Sequence, residues 1–256
     1  MTEHWLTADW HLGHQRIIEL SERPFASVDE MNQTIVANHN AVVAEDDALW
    51  ILGDVCMGPI DESLALIGEL RCRRVYLVAG NHDRCFHGYG DNATNPVQLK
   101  HWVARYRRAG FNLVETGYAT RRRGFGSLLE LAPTTFGTDG RRRGGVTAEL
   151  SHFPTTGESR PDRPDRFADY RPRPLGGVDR RATTKRWVVC GHVHEAWLTR
   201  ARNVNVGVDQ WNFAPVHHEE LARLIQSRED EYGSQLDPEH ELTTYGPGRT
   251  RDDGTS

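Results

Sequence analysis

Asp9-x-His11, Gly53-Asp54, Gly80-Asn81-His82-Asp83, His152 and Gly191-His192-x-His194 are the residues of this chain best suited to chemistry. Each block follows a short apolar run and lies at a small residue or a tight turn. Five of the thirteen histidines fall in these blocks. Imidazole nitrogens with carboxylate and amide oxygens, and no thiolates, suit Mn²⁺, Fe or Zn²⁺ better than Ca²⁺. So many donors exceed what one catalytic ion takes and suit two divalent ions bridged by a shared carboxylate. The stretch Val75–Asp83 shows the pattern most clearly. An apolar strand runs into Gly80, which permits a sharp bend and close backbone approach. Three side chains follow in order: an amide oxygen to hold a metal, an imidazole to carry a proton, and a carboxylate to orient it.

Positioning these groups takes regular elements that end where the blocks begin. Apolar runs predict strands over His4–Ala8, Ala48–Leu52, Arg74–Ala79 and Trp187–Cys190. Helices fall between the first three: a short one over Gln15–Ser21, a longer one ending near Ala44, and one carrying Leu64, Ile67 and Leu70. Ser27-x-x-Glu30 is a capping box for the second, and Asp61 is a cap for the third. Asn95-Pro96 opens a fourth helix that Gly110 closes. Beyond Phe111 the texture is β-like, with strands over Asn112–Tyr118, Phe125–Leu131, Val146–Ser151 and Asn203–Val208. Arg-rich turns at Arg121–Arg123 and Arg141–Arg143 separate them, and a last helix spans Glu219–Ile225. Alternating strands and helices predict an α/β fold. Ligands of open α/β sheets collect at the carboxyl ends of the strands, where every block above stands.

A chain of 256 residues with 26% charged side chains reads as a soluble globular protein. No run reaches transmembrane length and no signal peptide precedes the first strand, so the expected setting is cytoplasmic, with no membrane partner. Cys56, Cys72, Cys85 and Cys190 show no paired spacing and read as reduced thiols. Residues 1–226 form the expected domain, 154–185 a long Arg- and Pro-rich surface loop inserted in it, and 227–256 a polar, disordered tail. Both ends of that loop lie near histidines of the donor blocks, His152 and His192, so it reads equally as a solvated loop or as an Arg-bearing lid.

The five blocks, in this order and context, resemble the calcineurin-like metallophosphoesterases. The resemblance covers roughly residues 1–226 and implies a four-layer α/β/β/α sandwich of two mixed sheets. It implies that Asp9, His11, Asp54 and His194 hold one metal, and that Asn81, His152 and His192, with Asp54 bridging, hold a second. It also implies that His82 protonates the leaving group and that Asp83 hydrogen-bonds His82 and keeps it charged. The implied chemistry is phosphoester hydrolysis by in-line attack of a metal-bridging hydroxide, with Mn²⁺ the expected metal and Fe or Zn²⁺ the alternatives.

Within that superfamily, protein serine/threonine phosphatases continue the second block with Asp-Arg-Gly. Here the run is Gly53-Asp54-Val-Cys-Met-Gly58, without the arginine that grips a monoester. Arg23-Pro-Phe25, Met31-Asn32, Asn38-His-Asn40 and Val204–Asp209 are similar to a group of small prokaryotic and phage phosphoesterases. The expected substrate is therefore a small phosphodiester of nucleotide or cyclic-nucleotide type. DNA or RNA is the alternative, not favoured in a chain of net charge -5 with no basic aromatic track. A non-catalytic scaffold is the reading of another class, and the complete ligand set argues against it. His14 reads equally as a substrate contact or a helix start. Asp209 reads equally as a partner behind a ligand histidine or a turn residue. His217-His218 flank the last helix, and His39 and His101 are structural.

Overall fold

Apolar side chains alternate along the early strands, and this alternation decides what each strand faces. The elements are β1 (His4–Thr7), α1 (Ile17–Leu20), α2 (Val28–Val42), β2 (Ala48–Ile51), α3 (Ile60–Ala65), β3 (Arg74–Val78), α4 (Pro96–Ala109), β4 (Phe111–Glu115) and α5 (Tyr118–Arg123). They continue as β5 (Ser127–Phe136), β6 (Arg142–Leu150), β7 (Trp187–Cys190), β8 (Thr199–Arg200), β9 (Asn203–Asn205), β10 (Val216–His217) and α6 (His218–Ser234). The computed structural model describes residues 2–123, 126–136, 142–156, 164–173 and 186–234.

Two five-stranded sheets result, in the orders β10-β1-β2-β3-β4 and β5-β6-β7-β9-β8. Strands β1 to β4 are parallel, joined by α2, α3 and α4. Parallel crossovers are right-handed, so strands that advance in one direction place all three helices on one face. Leu49, Ile51, Val75 and Leu77 meet the helical residues Met31, Ile35, Leu64 and Tyr106 there. The opposite face carries Leu6, Ala8, Leu52 and Val78, which pack against Leu131, Ala148, Leu150, Val189 and Val204 of the second sheet. Leu221, Ala222 and Ile225 of α6 join this second core. Each fully buried leucine or isoleucine contributes about 1.5–3 kcal/mol. Two mixed sheets with flanking helices are the α/β architecture that the sequence predicts.

Register brings the blocks level. Thr7 pairs with Ile51, and Ile51 with Leu77, so β1, β2 and β3 end on one line. In the second sheet Leu150 pairs with Val189, and Cys190 with Asn205. A bridge from Ala8 to Gly207 then joins the two sheets at that same rim.

The capping predictions hold at two helices. Ser27 accepts from Glu30 N at 3.1 Å while Glu30 reaches back to Ala26 N at 2.7 Å, and Asn95 accepts from Gln98 N at 3.1 Å. Several boundaries differ. Asp61 caps nothing; it lies one residue inside α3, which starts at Ile60 behind Pro59, and pairs with Arg105 of α4. Arg121–Arg123 form the end of α5 rather than a turn, and β4 stops at Glu115. Arg142 and Arg143 open β6, while 137–141 lie outside the described residues. Strand β9 ends at Asn205, whose side chain accepts from Gly207 N at 2.8 Å and turns the chain.

Helix α6 runs to Ser234, past the expected start of the tail at 227. Glu229 ties it down by accepting from Trp187 and pairing with Arg202. The remaining tail residues, 235–256, lie outside the described residues. All four cysteines are free and buried. Among the described residues no helix is long and apolar enough to cross a membrane.

Candidate metal centre

Among the described residues, nine other than glycine have positive φ, and five of them are Asp9, His11, Asp54, His192 and His194. Left-handed backbone is costly for such side chains and collects at functional sites. At each one the chain leaves its strand and turns a side chain inward. Glycines permit the crowding. A Cβ on Gly53 would overlap the His152 ring and stand 2.6 Å from Gly80 N; one on Gly80 would overlap the Asp54 carboxylate.

Two donor groups form. Asp9, His11 and His194 make one, and Asp9, Asp54 and His152 the other; the ligand atoms of each lie within 4.8 Å of one another. Asp54 Oδ2 lies between the groups, 3.7 Å from His11 Nε2 and 3.5 Å from His152 Nε2. Asn81 Oδ1 is 3.1 Å from His152 Nε2, and the His192 ring stands edge-on to the His152 ring with centroids 5.1 Å apart. All seven expected ligands therefore meet at the rim.

The donors are prepared for cations. His152 gives its Nδ1–H to Leu52 O at 2.8 Å, which leaves Nε2 as the free lone pair. His194 uses Nδ1 on Asp209 at 3.1 Å, and its Nε2 is likewise left over. Both ring nitrogens of His11 are buried without a hydrogen-bond partner. A buried polar atom without a partner is costly, and a bound ion removes the cost. Burial raises the Asp9 carboxyl above its usual pKa, so a nearby cation would restore its charge. Burial also pushes the His11 and His192 rings well down, into the neutral form that ligates. Burial opposes charge on His194 too, but the Asp209 hydrogen bond and the Asp9 carboxylate outweigh it and raise its pKa to about 9, so an ion at Nε2 would take the place of a proton. These residues fit divalent metals.

Of the two readings of Asp209, the structure takes the partner behind a histidine of the donor set. Asp209 holds His194 on one side and Arg23 on the other, at 2.8 and 3.0 Å. Arg23 is buried and also donates to Asp9 O at 2.7 Å and Trp10 O at 3.0 Å. Its guanidinium thus joins the Asp9 turn to the His194 turn. No local pattern in the sequence marks this role of Arg23, because its carboxylate partner lies 186 positions away. Asn205 is a second such residue: its amide donates to His194 O at 2.7 Å and fixes the turn that carries His194.

Two expectations for the proton carrier are corrected. Asp83 does not pair with His82. Its fully buried carboxylate accepts from Asp54 N at 2.8 Å, Gly80 N at 2.9 Å, Val55 N at 3.1 Å and the Tyr106 hydroxyl at 3.3 Å. It clamps the second and third blocks together instead. Three converging N–H groups hold the carboxylate more strongly than one half-buried imidazole would. His82 is not held charged either: burial lowers its pKa, with Asp54 only partly opposing. Its backbone N–H donates to Asp54 Oδ1 at 2.9 Å, and its ring stands 5.4 Å from the His11 ring at the cleft. His14 lies beside the centre, 5.4 Å from the His11 ring, with its Nδ1 buried and without a hydrogen-bond partner.

The inserted segment contributes a wall. Phe167 stacks on Phe153 at 4.8 Å and meets the His192 ring edge-on at 5.7 Å. Arg171 is buried, donating to Pro154 O and pairing with Asp165. Residues 164–173 are therefore docked on the site, unlike a solvated loop; 157–163 and 174–185 lie outside the described residues.

Comparison with known proteins agrees with this geometry. The calcineurin-like phosphoesterase family matches residues 5–196. The gene 66 protein of Mycobacterium phage L5 is 28% identical over 240 residues, which are 91% of this chain and 99% of that protein. The gene 66 protein of Mycobacterium phage D29 is 28% identical over 83% of this chain and 90% of its own length. An uncharacterized protein of Methanocaldococcus jannaschii is 35% identical over 85 residues, covering 33% of this chain and 48% of its own. A solved structure, of a protein of unknown function from Aquifex aeolicus, superposes with a TM-score of 0.51 at 20% identity. It covers 88% of this chain and all of that one, and shares the fold.

Proposed function

Since the chain belongs to the calcineurin-like phosphoesterase family and is a metal-dependent phosphoester hydrolase, we propose that it hydrolyses small phosphodiesters of nucleotide type at a centre of two ions. The observation that carries the reading is the convergence of Asp9, His11, Asp54, His152 and His194 from the ends of both sheets. Asp9, His11 and His194 would hold one ion, and Asn81, His152 and His192 the other. Asp54 would be shared, since its Oδ2 faces His11 and His152 alike. Bound divalent ions would polarise the phosphoryl oxygens and acidify a water.

The chain's own residues do the rest. Arg23 and Asp209 keep the His194 Nε2 lone pair directed inward. Asp83 keeps the Asp54 and Gly80 turns at a fixed separation. His82 presents Nε2 to the cleft, 4.0 Å from Asp54 Oδ2, and passes a proton to the departing oxygen. Burial weakens the hold of His82 on that proton, which favours its transfer to the departing oxygen.

Charge supports a diester. Arg23 is spent on Asp209 and two carbonyls, and the second block carries no arginine. Arg166, which bears on His82, is exposed and lies over the Phe167 ring at 5.3 Å.

The test compares initial rates on bis(p-nitrophenyl) phosphate and p-nitrophenyl phosphate with Mn²⁺, and with EDTA, alongside elemental analysis. Diester preference abolished by EDTA, with two ions per chain, is expected. A monoester preference would overturn the substrate class, and one ion at full activity would overturn the two-ion centre.

A further inference from the structure

At the opposite end of β1 lies a second set of metal donors that hydrolysis does not use. Glu3, just before β1, meets His217 at the end of β10 and His218 at the start of α6. Glu3 Oε2 stands 2.8 Å from His218 Nε2 and 3.2 Å from His217 Nε2. The six residues from Glu3 to Asp9 put it about 20 Å from the centre above. From this geometry we infer that Glu3, His217 and His218 form a separate Zn²⁺ site that fastens the edge strand β10 and helix α6 to β1.

The hydrogen bond behind His218 supports a cation at this point. His218 Nδ1 lies 2.6 Å from Leu131 O in the second sheet, and a carbonyl there requires Nδ1 to carry a proton. In a neutral ring Nε2 is then a bare lone pair, aimed at the equally bare oxygen of Glu3. Two lone pairs at 2.8 Å repel unless a cation lies between them. A proton can fill that place. So can a metal, and the Nδ1–H to carbonyl bond is the usual support behind a ligating histidine.

His217 supplies the third donor at the same oxygen. A tetrahedral Zn²⁺ with bonds of about 2.0–2.1 Å holds its donors about 3.3 Å apart, so Glu3 must part from His218 by about half an ångström and from His217 by about a tenth, while all three donor atoms already lie within 4.8 Å of one another. Two imidazoles, one carboxylate and a water complete four-coordination, as this cation takes it. His4 is not needed: its Nδ1 already accepts from Trp50 at 3.3 Å.

Such an ion would matter to the fold. Glu3 and His218 are 215 positions apart, and β10 is a two-residue edge strand. A clip between them closes nearly the whole chain and adds the ion's binding free energy to folding.

Zn²⁺ alone is the probe, on the full chain. After equilibrium dialysis against Zn²⁺, wild type should carry one more ion per chain than Glu3→Gln or the double variant His217→Gln/His218→Gln. Both variants should keep diester hydrolysis. Zn²⁺ should raise the Tm of the Asp54→Ala variant, whose active centre is impaired, and should not do so once Glu3→Gln is added. That readout does not depend on what the enzyme hydrolyses. Should the variants fail to fold, Zn²⁺ titration of wild type followed by imidazole nitrogen NMR decides. Shifts at His217 and His218 are expected, whereas unmoved signals there, or equal Zn²⁺ content in all three proteins, would overturn the site.

Discussion

Asp83→Asn separates two accounts of one residue. If Asp83 only oriented His82, the substitution would slow proton transfer and leave folding alone. The structure predicts something else. The carboxylate receives three backbone N–H bonds of 2.8, 2.9 and 3.1 Å and is fully buried. An asparagine keeps one oxygen. Placed to serve Gly80 and Asp54, it turns its NH₂ toward the N–H of Val55, and two donors face each other in a dry site. One buried donor is left unpaired at a cost of about 1–3 kcal/mol. In a domain of this size that lowers Tm by about 4–8 °C for a midpoint of 2 kcal/mol. The clamped turns also carry Asp54 and Asn81, so metal affinity should fall by about 10–100-fold, as for other partners standing behind ligands. Thermal unfolding, a metal titration and kcat at saturating metal form the assay. A Tm within about 1 °C of wild type, with unchanged metal affinity and a large loss of kcat, would refute the clamp and restore the orienting role.

Other perturbations follow from the same geometry. Arg23→Lys cannot make the two Asp209 bonds and the Asp9 and Trp10 carbonyl bonds together. It should weaken metal binding by about 10–100-fold, read by competition with a chelating dye, and excess metal should rescue activity. Gly80→Ala places a Cβ against Asp54 Oδ1 and 2.7 Å from Asp54 N, with backbone that cannot yield. Soluble Gly80→Ala protein should lack bound metal in elemental analysis. His39 gives a pH test. It is fully buried with both ring nitrogens unpartnered, and burial lowers its pKa from 6.5 to about 4. The unfolded chain therefore protonates first, so the His39 contribution is present above pH 6.5 and is lost as the pH falls toward 4. Between pH 7 and pH 5 it removes about 2 kcal/mol, and urea unfolding of wild type against His39→Leu should show that difference only at the lower pH.

Much of the molecule was legible in the chain because its signals are local. An apolar run with a polar block after it names a strand and its functional end in one reading. Ser27 with Glu30, and Asn95 with Pro96, cap helices through neighbours three residues away. The five donor blocks that meet at the rim could likewise be named, since a core rarely holds such donor types together. Pairings that span the chain were not legible. Arg23 finds Asp209, and Asp83 finds the second block instead of the His82 beside it. Helix α6 continues to Ser234 because Trp187 and Arg202 hold Glu229, although its own sequence shows no apolar period there. Residue types and strand ends determined which atoms could bind metal. The packing of two sheets, and with it the direction of every buried carboxylate, decided which partner each group serves, because burial removes water and leaves only the donors that the fold supplies.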